Sequence, residues 1–212
     1  MSTRRSAIIV MAIALCACRL AAQDEPPPIG HFVVDVRGTV PVFKKDVGIA
    51  ASRGLLAAEM PGAGLGADAG VHVYVLKWKA ITFGLGGQVT VARAHASPAA
   101  SLGLRAVTER FTTVAPQLSL NFGTGDGWSY LSAGLGPSWW TIVPDGSAHG
   151  PADEDRLRTA NFGGGARWFA KRHTAFTFDV RFYQIDPGFP HGGFPGTPRI
   201  KFIVIGAGAS IR

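Results

Sequence analysis

The one nucleophile-like constellation in this 212-residue chain is His95-Ala96-Ser97, with Glu109 further along. A base within hydrogen-bond reach of a serine is the minimum requirement for acyl transfer, and His95 beside Ser97 could meet it. Three common residue types at a loop edge also coincide without any chemistry. A second set is purely electrostatic: Asp35, Arg37, Asp68, Arg167, Asp179 and Arg181. These charges could line a narrow polar path or neutralise one another as an ion-pair network, and the network is the favoured reading. No metal site or cofactor is expected. His31, His72, His149, His173 and His191 show no ligand spacing, and Asp153-Glu154-Asp155 reads as a solvated loop tip. Gly84-Leu85-Gly86-Gly87 and Gly163-Gly164-Gly165 are not phosphate loops, because no helix signal follows either run.

The segments that must position these residues alternate with period two, the signature of strands whose side chains point to opposite faces. Past residue 22 there are eight such segments, and their connections go long, short, long, short, long, short, long. The short links are Lys77-Trp78-Lys79, Gly123 to Gly127 and Ala170 to His173. The long ones run roughly over 43–62, 96–106, 143–156 and 186–198. In the first segment Val34, Val36, Val40 and Val42 oppose Asp35, Arg37 and Thr39. In the seventh, Phe176, Phe178, Val180 and Phe182 oppose Thr177, Asp179, Arg181 and Tyr183. The eighth, from Arg199 to Arg212, is apolar on both faces, so its orientation stays open. A face of opposed charges, glycine and serine is a poor coat for water but a good filling for a narrow barrel. Polar-in and apolar-out is the pattern of a membrane barrel. The expected fold is all-β: an eight-stranded antiparallel up-and-down transmembrane β-barrel.

Register supports those faces. A turn at Lys171-Arg172-His173 pairs Trp168 with Phe176 and Phe162 with Phe182 outside, and sets Gly163 against Arg181 and Gly165 against Asp179 inside. Arg167 then lies diagonal to Asp179. A one-residue slip would invert every face. Trp78, Phe122, Trp128 and Trp168 beside the short turns, and Trp139 and Trp140 at the far end, suggest two interfacial girdles.

The ends divide the chain into a signal peptide (1–22), an N-terminal tail (23–30) and the barrel (31–212). Arg4 and Arg5 precede an apolar run from Ser6 to Cys18, too short to span a bilayer as a helix. Acylation at Cys18 is the alternative. Cleavage after Ala22 leaves no cysteine, which excludes disulfides and thiol chemistry. The formal net charge of +7 also falls, because Arg4, Arg5 and Arg19 leave 18 basic against 14 acidic residues. With no Lys/Arg run longer than two, no nucleic-acid partner is expected. Charged residues are only 17% of the chain, low against roughly 25% in soluble domains.

From about Gly30 to Arg212 these features resemble the small eight-stranded outer-membrane barrel proteins, the OmpA/OmpX/OmpW-like group. The resemblance implies a Gram-negative-type outer-membrane location. It implies a monomer, in contact with outer-membrane lipid and lipopolysaccharide, inserted by the barrel-assembly machinery. The role it implies is structural or adhesive, or porin-like passage of a small apolar molecule, without enzymatic activity. One departure is the ending Ser210-Ile211-Arg212, where the group carries an aromatic residue. Two alternatives remain. His95, Ser97 and Glu109 are similar to the His-x-Ser pair and downstream glutamate of outer-membrane lipid A deacylases, although Pro98 stands where that family has an asparagine. A soluble periplasmic lipocalin-like carrier is the other, but no Gly-x-Trp opens the first strand.

Overall fold

The computed structural model describes residues 28–98 and 100–212. The expected signal segment, with Cys16 and Cys18, lies outside those residues, as does most of the 23–30 tail. The strands are β1 (Phe32–Val42), β2 (Leu65–Trp78), β3 (Ile81–Ala96), β4 (Val107–Thr124), β5 (Gly127–Pro144), β6 (Arg156–Phe169), β7 (Thr174–Ile185) and β8 (Ile200–Ile211). Each pairs antiparallel with its neighbour in the chain. Pairing of β1 with β8, from Val34↔Ile211 to Val42↔Ile203, closes the barrel and leaves no edge. Among the described residues, no helix is long and apolar enough to cross a membrane.

Period-two patterning becomes inside and outside. Val36, Leu118, Leu131 and Phe162 are exposed on the wall, while Asp35, Arg37, Asp179 and Arg181 are at most 2% exposed within. A continuous apolar surface of this kind on all sides needs an apolar solvent; a soluble carrier would have the opposite faces. The register pairs Trp168 with Phe176, Phe162 with Phe182, Gly163 with Arg181 and Gly165 with Asp179, as expected. Glycine is required at 165, because a Cβ there would run into the Phe178 carbonyl, and the Tyr130 hydroxyl lies close by. A bulge between Tyr74 and Leu76 leaves both Val75 and Leu76 facing out.

The links at one end are as short as expected. Lys77-Trp78-Lys79 tightens further, since Trp78 pairs with Ile81 and only Lys79 and Ala80 turn. Lys79 takes the positive φ (52°) that two-residue hairpins require.

Two tryptophans correct the girdle expectation. Trp78, Trp139 and Trp168 face outward, but Trp128 and Trp140 are buried inside the barrel. Parity gives the reason: with Leu131 and Trp139 on the wall, positions 128 and 140 must point inward. The open question of β8 also resolves. Ile200, Phe202 and Val204 point in, whereas Ile205 and Ile211 point out.

The outer half of the lumen therefore holds an apolar core, completed by the first long loop. Phe43, Ile49, Leu55 and Met60 from that loop pack with Phe111, Trp140, Tyr183, Ile185 and Phe202 from the strands. A five-residue helix, α1 (Val47–Ala51), brings Ile49 inward. Asp46 caps it by accepting from the Gly48 and Ile49 amides at 2.8 and 3.1 Å.

Candidate functional site

The six inward charges converge in the inner half of the lumen. Arg167 forks onto Asp35, with Nε to Oδ1 at 2.8 Å and Nη2 to Oδ2 at 2.5 Å. Ser210 Oγ donates to the same carboxylate at 2.5 Å. Arg37 Nε donates to Asp68 at 2.8 Å, and its Nη1 reaches the Tyr130 hydroxyl at 2.8 Å. Tyr130 in turn donates to Asp179 at 2.7 Å. Arg181 holds Asp179 at 3.2 Å and also donates to Ser132, Asn161 and Gln117.

Three arginines and three aspartates thus neutralise one another across the barrel, as a buried charge in so narrow a space demands. Tyr130 is the residue that sequence reading missed. Its signal was parity, since it shares the inward face with Ser132. The expected neighbour of Arg167 was Asp179; its partner is Asp35, on the far side of the lumen. At this end Trp128 stacks on Phe169 at 5.0 Å, and the Arg167 guanidinium lies 4.0 Å from the Tyr130 ring centre.

The long loops knit the opposite end. Arg53 donates to Asp153 at 2.9 Å, Thr197 at 2.7 Å and the Ala152 carbonyl at 3.0 Å, joining three loops. Asp153 is accordingly a buried anchor, also accepting from the Ile142 and Gly150 amides, and corrects the expectation of a solvated tip. From the second loop, Arg105 grips Glu59 of the first with Nε and Nη2 at 2.8 and 2.9 Å. Those hydrogen bonds, with one from the Leu56 amide, pull the Glu59 carboxyl down to about 2.

On the outside, the serine constellation is half assembled. Ser97 Oγ and His95 Nε2 are 2.7 Å apart, both on the outward side of β3's end. Glu109 is absent from this group and corrects the expected triad. Thr108, its neighbour in β4, pairs with His95, so parity turns Glu109 into the lumen, where Trp140 Nε1 donates to it at 2.9 Å. Asp145 stands in its place, positioned by its own amide on the Ala106 carbonyl. Thr108 Oγ1 donates to Asp145 at 3.0 Å, which makes it the acceptor for His95 Nδ1 at 3.1 Å. In the neutral ring that order puts the proton on Nδ1, so Nε2 accepts from Ser97, while the second Asp145 oxygen lies 3.8 Å from the same Nε2.

Beside it lies an open polar pocket of about 430 Å³, lined by Arg93, Thr108, Arg110 and Thr141 from the strands and by Asp145, Ser147 and His149 from the third long loop. Among the described residues, no group of three or more His, Cys, Asp or Glu side chains is arranged to hold a metal.

No protein-family model and no curated protein sequence matches the chain. Solved structures do. Neisserial surface protein A superposes with a TM-score of 0.55 at 11% identity, covering 85% of this chain and 96% of its own. Ail, the attachment invasion locus protein of Yersinia pestis, solved with the heparin analogue sucrose octasulfate, gives a TM-score of 0.50 at 11% identity. That match covers 86% and 99% of the two chains. The chain thus has the fold of the small eight-stranded outer-membrane β-barrels.

Proposed function

We propose that this protein is an integral barrel of a Gram-negative-type outer membrane with a structural or adhesive role, presenting an ordered cap of outer loops and conducting nothing. The filling of the lumen carries this reading. The inner half is closed by the Asp35–Arg167, Arg37–Asp68 and Asp179–Arg181 pairs, and the outer half by the apolar cluster that the first loop completes. An eight-stranded barrel is just wide enough for its own side chains, and both halves use that width fully. Passage of a small apolar molecule would require the first loop to withdraw. Planar-bilayer recording on the refolded chain tests the proposal. No single-channel steps are expected; an ohmic conductance from the unaltered protein would overturn it.

The 2.7 Å contact of Ser97 with His95, and the relay behind it to Asp145, favour one other reading: hydrolysis of an ester presented at the outer rim. Release of fatty acid from an outer-leaflet lipid, abolished by Ser97→Ala and retained by Glu109→Gln, would replace the non-catalytic role.

A further inference from the structure

The outer rim carries arginines that form no salt bridge among the described residues, although Asp145 lines the same pocket as two of them. Arg93 on β3 and Arg110 on β4 are direct cross-strand partners, both exposed on the outward face. Like charges so placed repel. One step along the wall, Arg156 lies opposite Trp139 and Arg158 opposite Pro137 on β5. None of these four arginines belongs to an ion pair among the described residues. A strand pair that sets two arginines without salt-bridge partners directly across from each other can take an anion between them.

The pocket of about 430 Å³ lined by Arg93 and Arg110 supplies the space, with Thr108, Thr141 and His149 also in its lining. Its one carboxylate, Asp145, accepts a hydrogen bond from Thr108, and two arginines outnumber it. Two guanidinium groups lining one pocket suit the several oxygens of a phosphate better than a single carboxylate. Directly below, on the same outward face, run Val91, Val89 and Val114, and across the wall Leu135. A ligand seated here would have its anionic group on the arginines and its apolar part against that wall. Resting on the outer-membrane reading above, we infer that Arg93 and Arg110 form a binding site for the phosphate of a lipid headgroup in the outer leaflet.

The purified, folded chain in detergent is titrated with bis-phosphorylated lipid A, its dephosphorylated form and inorganic phosphate, with lipid retention read by native mass spectrometry. The unaltered protein should retain the phosphorylated lipid. Arg93→Gln with Arg110→Gln should weaken retention by about tenfold or more, while Lys201→Gln on β8 leaves it unchanged. Equal retention of both lipids would show attachment by the apolar wall alone and overturn the site. Unchanged binding in the double variant would also overturn it, and tight binding of phosphate alone would replace the lipid with a free anion. Gel mobility, boiled against unboiled, separates these results from failure of the barrel reading. A folded outer-membrane barrel shifts whether or not the rim binds phosphate.

Discussion

In the inner half of the lumen every sealing group comes from a strand: Asp35, Arg37, Asp68, Tyr130, Arg167, Asp179 and Arg181 meet only because the barrel is closed. In the outer half the wall provides Phe111, Trp140, Tyr183 and Phe202, but the filling is finished by Phe43, Ile49, Leu55 and Met60 from a loop. The difference separates two kinds of stability. The polar half is inseparable from barrel closure, because removing one member strands a buried charge without its partner. The apolar half is more modular, since its loop can leave with the loss of little more of the ladder than the Phe43–Gly62 hydrogen bond that extends the pairing of β1 with β2.

Breaking the polar half should cost most. Arg181→Ala removes the donors to Asp179, Ser132, Asn161 and Gln117 at once, and should lower barrel stability by about 3–5 kcal/mol. Urea unfolding of the vesicle-embedded chain, followed by gel mobility, measures it.

Met60→Ala opens a hole in the apolar half and should cost about 2–5 kcal/mol. That loss should appear as protease cleavage within residues 43–64 while the unboiled barrel keeps its mobility. An equal loss of barrel mobility in both variants would erase the distinction between the halves.

Arg53→Gln cuts the ties to Asp153, Thr197 and the Ala152 carbonyl and should loosen the cap by about 1.5–3 kcal/mol. The readout is the same proteolysis, now with cleavage in the third and fourth long loops as well.

The smallest effect is one of pH. Glu59 is held near 2 by Arg105, against 4.5 for an ordinary glutamate. A carboxyl depressed on folding contributes fully above its unfolded value and loses that contribution as pH falls through the folded one. The cap should therefore weaken between about 4.5 and about 2. Hydrogen exchange of residues 43–64, corrected for intrinsic rates, should rise over that window and lose its pH dependence in Glu59→Gln.

Strand number, link rhythm and the faces of seven strands could be read directly, because lipid outside and a tight lumen inside enforce strict alternation. Gly163 and Gly165 opposite Arg181 and Asp179 followed from one turn length. Partners across the lumen did not. Asp35 and Arg167 meet through strand tilt and shear, which leave no mark on the spacing of residues within a strand. Trp128 and Trp140 were legible by parity, yet their place near strand ends pointed to an interface. β8 could not be oriented, since Phe202 and Val204 face an apolar chamber that exists only once the first loop folds in. On the outer rim, Asp145 had no sequence cue, because a loop and the Thr108 hydroxyl carry it to His95.

The seam between β1 and β8 has a kinetic consequence. It joins Asp35 to Ser210, groups 175 positions apart, through a hydrogen bond on the same carboxylate that Arg167 clamps. Pairing between such distant stretches comes late and slowly, because the entropy of the whole intervening chain is spent before any contact is gained. The nascent protein must therefore carry two unpaired strand edges until its final strand arrives. The same Asp35 that neutralises an arginine in the finished barrel is also positioned to latch that last strand in register.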